Sequence, residues 1–152
     1  MTGPNPVDRG KPGSKIHALS DRYGLPIMVG VSAANTHDSQ ALIPLVRAIP
    51  ATRSRRGPRR LRPTKLHADK AYDSRRCRAY LKRRGIKSRI ARKGIESSER
   101  LGRHRWVVER THAWLAGFGK LRIRFERRID THLAWLKLAC AVICLRFVED
   151  LC

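Results

Sequence analysis

Apolar and polar positions divide the chain into alternating and helical stretches punctuated by glycine and proline. Residues 14–21 alternate as a half-buried strand does, Tyr23-Gly24 marks a turn, and residues 25–33 are apolar and β-rich. Together they predict an antiparallel hairpin. Residues 1–13, with three prolines and three glycines, read as loop. Behind the polar cluster 35–39, Leu42, Ile43, Leu45 and Val46 predict a short amphipathic helix over 39–48, with Pro44 in its first turns. Residues 51–63 form a loop. Residues 65–69 then read as a strand, 74–84 as a helix capped by Asp73 or Ser74 and closed by Gly85, and 86–91 as a second strand. Strand, helix, strand over 65–91 is a βαβ unit with a parallel pair. After a loop at 92–98, residues 99–116 read as a helix broken by Gly117 and Gly119. Residues 120–129 alternate basic and apolar and fit either strand or helix. Asp130 or Thr131 caps a last helix, 132–148, whose apolar run is interrupted by Lys137 and Arg146. It reads as a packing helix rather than a membrane span.

The helix over 99–116 carries one carboxylate, Glu109, among residues that are apolar on most sides. At about 100° per residue, Arg105 and Ala113 share its face, and Leu101, Val108 and Leu115 form a neighbouring apolar stripe. Glu109 is thereby expected at the border of an inward-packing face. An acid there needs a partner or a cation. Two readings stay open: an ion pair with Arg105 or Arg110, and a metal-binding carboxylate. A second acid, Asp69, ends the first strand of the βαβ unit, the edge at which open α/β sheets bind ligands. Two carboxylates meeting there would hold Mg²⁺ or Mn²⁺ against phosphate. Asp38 reads as a cap or turn residue, and His17, His37, His67 and His112 as surface or packing residues.

Charge narrows the partners. The chain has 152 residues, with 34 Lys+Arg against 12 Asp+Glu and a formal net charge of +22. That points to a polyanion, with nucleic acid ahead of an anionic membrane surface. The loop 51–63 concentrates Arg53, Arg55, Arg56, Arg59, Arg60 and Arg62, an array suited to phosphates. Apolar residues at 41% suffice for a core and exclude a disordered basic tail. The N-terminal residues lack the apolar run of a signal peptide. Cys77, Cys140, Cys144 and Cys152 lack zinc-finger spacing, and a reduced, cytoplasmic protein fits them.

Several segments, in this order, resemble the C-terminal part of bacterial insertion-sequence DDE transposases, in the group founded by insertion sequence five. They are 3–17 (GPNPVDRGKPGSKIH), the Asn35…His37-Asp38 turn, 68–74 (ADKAYDS), 105–115 (RWVVERTHAWL) and 120–128 (KLRIRFERR). The likeness spans nearly the whole chain. It implies one domain over 1–152 with a ribonuclease H-like fold, a mixed sheet with flanking helices. It further implies an Asp, Asp, Glu site for two divalent ions, Mg²⁺ or Mn²⁺, in which Asp69 is the second acid and Glu109 the third. Arg105 matches the arginine of the family's Arg-x-x-x-Glu signature. Gly102 stands where the family has a tyrosine and Ala116 where it has a lysine, for which Lys120 is the candidate substitute.

The implied activity is transposition: water cuts the strand at the transposon end, and the freed 3′-OH attacks target DNA. Lys70, Arg105, Lys120, Arg122 and Arg124 join the arginine loop as expected DNA contacts. The implied partners are transposon-end and target DNA, a second copy of the chain, and an upstream transposase half, in a bacterial, nucleoid-associated setting without a membrane. The family's first Asp lies upstream of the segment in which this chain begins, and Asp8 is not its equivalent. The expectation is therefore an N-terminally truncated fold lacking its first, central strand, with no strand transfer by this chain alone. A non-catalytic basic nucleic-acid-binding protein, or an inactive transposase remnant, is the rival. The rival explains the charge but neither the strand-end Asp nor the Glu in an apolar helix.

Overall fold

The computed structural model describes residues 2–52, 57–58, 62–92 and 102–149, with the backbone alone at 102–105. Along the chain run β1 (Gly3–Pro4), β2 (Pro12–Ser20), β3 (Pro26–Ala33) and α1 (Ser39–Arg47). They are followed by β4 (Lys65–Ala68), a 3₁₀ turn at Lys70–Tyr72, α2 (Arg75–Arg83) and β5 (Lys87–Ile90), and then by α3 (Gly102–Ala116), α4 (Gly119–Arg122) and α5 (Ile129–Glu149). The architecture is mixed α/β. The described strands form two small sheets, an antiparallel β1-β2-β3 and a parallel β4-β5. The chain divides into two compact units, one from Met1–Thr36 with Trp106–Cys152, the other His37–Arg105.

In the first unit the predicted hairpin forms, with Ile16 opposite Val31 and Ala18 opposite Val29. β2 begins at Pro12, and β1 pairs Gly3 with Gly13, so part of the segment read as loop is laddered. α5 crosses the hairpin because Leu136, Ala139 and Ile143 fall on one face of the helix. With Val29, Leu115 and Leu121 they make the core, and Leu136 is fully buried. Burying a leucine this way contributes about 2 kcal/mol. By length and composition alone α5 is also apolar enough to cross a membrane.

The segment that fitted either strand or helix is neither for most of its length. Phe118 precedes the single turn α4, and residues 123–128 are irregular. The Arg124 side chain organises them in place of a ladder. Its guanidinium donates to the carbonyls of Glu126 and Arg127, each at 2.8 Å, and to Ser14 Oγ at 2.6 Å.

The second unit contains the predicted βαβ unit. β4 and β5 pair in parallel from Lys65 opposite Lys87 to Ala68 opposite Ile90. α2 returns the chain between them, burying Cys77, Tyr80 and Leu81. Ser74 is the N-cap, its Oγ accepting from Cys77 N at 3.2 Å. Asp73, the other predicted cap, instead accepts from Arg78 Nε at 2.7 Å, and Arg78 also donates to the Ile90 carbonyl at 3.0 Å. Gly85 ends the helix at φ +64°, the left-handed conformation that favours glycine. α1 buries Leu42, Leu45 and Val46, and the Cys77 thiol donates to the Ser39 carbonyl at 3.3 Å, tying α2 to the start of α1.

Candidate functional site

Asp69 lies at the C-terminal end of β4, in the second unit. Its backbone is extended there, and its side chain caps the 3₁₀ turn, Oδ1 accepting from Lys70 N at 2.6 Å. The Tyr72 N–H closes the turn on the Asp69 carbonyl at 3.0 Å. The carboxylate is exposed at the sheet edge. α1 packs against this turn with Asp38 at its N-cap position, where the Asp38 side chain makes no capping bond. Burial, and then the carboxylates of Asp38 and Asp69 and the Cys77 thiol, push the Tyr72 phenol up to about 12. Asp38 thus belongs to the same electrostatic neighbourhood as Asp69, which sequence reading did not anticipate. Its polar turn motif was the available signal.

Glu109 lies on α3, in the first unit. It is exposed, as are Trp106 and Val108, the latter 43% accessible. This corrects the expectation that Glu109 borders an inward face beside Val108. The inward line is Thr111 and Leu115, four residues apart and 0% and 2% exposed, with Trp114 half-buried beside them. Thr111 Oγ1 donates to the Gly24 carbonyl at 2.7 Å, with the Val107 carbonyl 3.1 Å away as a second acceptor. The hairpin turn therefore selects which side of α3 is buried, and Glu109 is left facing solvent.

Among the cations expected at DNA, Arg53, Arg55, Arg56, Arg59 and Arg60 lie outside the described residues, as does the Arg105 side chain. Arg62 donates its guanidinium to the Arg84 carbonyl. Lys70 is half-buried beside Asp69. Lys120 and Arg122 are exposed on α4, with the Lys120 ammonium 5.1 Å from the centre of the Trp135 ring. Arg124 directs its guanidinium into its own unit, as described above.

Sequence reading also missed two stacks on the first unit. The Arg110 guanidinium lies 4.5 Å from the centre of Trp106 and 5.7 Å from that of Trp114, its neighbours one turn away on either side. Arg22 lies 4.5 Å over Tyr23 at the hairpin turn. The four-residue spacing 106–110–114 was the signal for the first.

The donors fit a hard divalent cation in kind, since Asp69 and Glu109 both present carboxylate oxygen at the surface. Among the described residues no cluster of three or more His, Cys, Asp or Glu side chains is placed to hold a metal ion. Asp69 and Glu109 belong to different units, and each is defined within its own.

Residues 2–144 match the family model of the transposase DDE domain. The transposase ascribed to insertion sequence element IS402 of Burkholderia cepacia is 52% identical over 143 residues, which cover 94% of this chain and 68% of that relative. The transposase for insertion sequence element IS1106 of Neisseria meningitidis serogroup B is 25% identical over 133 residues, covering 85% of this chain and 42% of that relative. No solved structure matches.

Proposed function

From the premise that this chain belongs to the transposase DDE domain family, we propose that it takes part in DNA strand cleavage and transfer, with Asp69 and Glu109 as its metal-binding carboxylates. The observation that carries the reading is the position of Asp69. An exposed carboxylate ends a parallel strand and is held by its own helical turn. Its field reaches Tyr72 together with that of a second acid, Asp38, in a chain of net charge +22. A bound Mg²⁺ or Mn²⁺ would supply Lewis-acid stabilisation of the phosphate and a water of lowered pKa.

The chain's own residues do the rest. The Lys70 N–H fixes one oxygen of Asp69 and so sets the direction of the carboxylate. Glu109 projects from the solvent face of α3 because Thr111 anchors the opposite face. Lys120 and Arg122, with the arginines of 51–63, hold the DNA backbone with little sequence readout. The partners in this reading are transposon-end and target DNA, with a second copy of the chain and an upstream transposase half. The compartment is the bacterial cytoplasm, at the nucleoid. The fold in this reading is ribonuclease H-like.

Thermal melting of the purified chain with and without Mn²⁺ tests the metal assignment. Mn²⁺ is expected to raise Tm, and Asp69→Asn or Glu109→Gln to remove the shift. A full shift retained in both variants defeats the reading. A second reading, a non-catalytic DNA-binding protein, rests on the net charge of +22. It predicts no Mn²⁺ shift in the unaltered chain.

A further inference from the structure

The turn between β2 and β3 is built more firmly than a hairpin tip needs. Asp21 Oδ1 accepts from Tyr23 N at 2.8 Å and from Leu25 N at 2.9 Å. Gly24 takes φ +88°. Its carbonyl is held by the buried Thr111 hydroxyl, and Arg110 donates to the Tyr23 carbonyl at 3.5 Å. The turn and α3 therefore present one fixed surface.

On that surface two aromatic rings stay in water, Trp106 at 45% and Tyr23 at 44% exposure. Each carries a guanidinium. Arg110 lies over Trp106, and Arg22 lies over Tyr23 while donating to its phenol oxygen. Tyr23 also meets Phe147 of α5, with ring centres 6.2 Å apart and tilted by 34°. Glu109 immediately precedes Arg110 on α3.

A duplex backbone needs only the cations. Exposed flat rings add nothing to a phosphate contact and lie outside the core. A guanidinium beside a ring has further N–H groups to offer phosphate oxygens, and its plane, like the ring's, can stack on a base. Rings and cations together match single-stranded nucleic acid, whose bases present open π faces.

We propose that the β2–β3 turn is a stacking element for unpaired nucleotides of the DNA, with Tyr23 and Arg22 taking a base and Arg22 and Arg110 its phosphates. This rests on the reading that the chain acts on DNA.

The test uses the full chain and three labelled probes: a blunt duplex, the same duplex with a short thymidine tail, and the duplex with an abasic tail of equal phosphate count. Fluorescence anisotropy gives the affinities. The thymidine tail is expected to bind about tenfold more tightly than the abasic tail. Tyr23→Leu is expected to abolish that difference while leaving blunt-duplex affinity within about twofold, and Tyr23→Phe to preserve it. Arg22→Gln is expected to weaken both tails. Equal affinity for the two tails, or a preference that survives Tyr23→Leu, overturns the stacking element and leaves DNA binding standing. Binding of none of the probes overturns both readings.

Discussion

Thr111 and Gly24, 87 residues apart, are joined by a buried hydrogen bond of 2.7 Å from the Thr111 hydroxyl to the Gly24 carbonyl. That bond orients α3. Thr111→Val keeps the shape and removes the donor, leaving a buried carbonyl with one partner fewer, at a cost of about 1–3 kcal/mol. Gly24→Ala acts on the other end. Its φ of +88° and the 3.2 Å approach of a Cβ to the Val107 carbonyl both oppose a side chain. It is expected to cost at least about 1–2 kcal/mol from the backbone conformation alone. Urea unfolding of both variants measures this, and an unchanged midpoint in either contradicts the account.

Tyr72 reports on the acids around it. Its folded pKa is raised to about 12, first by burial and then by Asp38 and Asp69. A phenol raised in the folded state stabilises fully below its unfolded value of about 10, and that contribution is lost as pH rises towards 12. Phenolate absorbance against pH should show a late-titrating tyrosine that disappears in Tyr72→Phe. Asp69→Asn and Asp38→Asn should each move that titration to lower pH. No movement in either variant would place the carboxylates too far from the ring to matter.

The βαβ unit was legible in the sequence because its signals agree: a short strand at 65–69 ending on an acid, Ser74 before the helix and Gly85 after it. Glu109 shows the opposite case. Trp106, Val107, Val108, Trp114 and Leu115 surround α3 with apolar side chains, so periodicity names no single inward face. A tertiary contact, Thr111 on Gly24, decides it. The 3₁₀ turn at Lys70–Tyr72 is too short for a periodic signal. Residues 123–128 alternate like a strand, yet Arg124 satisfies their carbonyls from its side chain, so the alternation finds no partner strand there. The Asp69 position followed from local pattern. The Asp38–Tyr72 neighbourhood depended on α1 packing against the turn.

Arg128 and Asp130 give an acid-side prediction. The Arg128 guanidinium donates to the Asp130 carboxylate at 2.6 Å, and together with the Thr131 N–H holds its pKa down to about 2. A carboxylate lowered in this way stabilises above its unfolded value of about 3.9, and that stabilisation is lost as pH falls towards 2. The pair is exposed and its effect on stability small. The readout is therefore the carboxyl titration followed by NMR, in which Arg128→Gln should return Asp130 towards the ordinary aspartate range.

Arg122 and Arg124 sit two residues apart in the same basic segment and should behave as opposites. Arg122 is exposed on α4, and a phosphate contact there would contribute counterion release. Arg122→Gln is expected to reduce the slope of log affinity against log salt by about 0.9 and to leave stability within about 0.5 kcal/mol. Arg124 binds Ser14 Oγ and two carbonyls of its own loop. Arg124→Gln should cost about 2–3 kcal/mol, because three charge-assisted bonds are lost, two of them half-buried. Its salt slope, measured where the variant is still folded, should match the unaltered chain. Arg124→Lys should recover little of the stability, since one ammonium cannot span three acceptors fixed by a planar fork. A lowered salt slope without lost stability in Arg124→Gln would show that this guanidinium leaves its loop for DNA. It would then restore Arg124 to the phosphate contacts that the basic pattern of residues 120–128 first suggested.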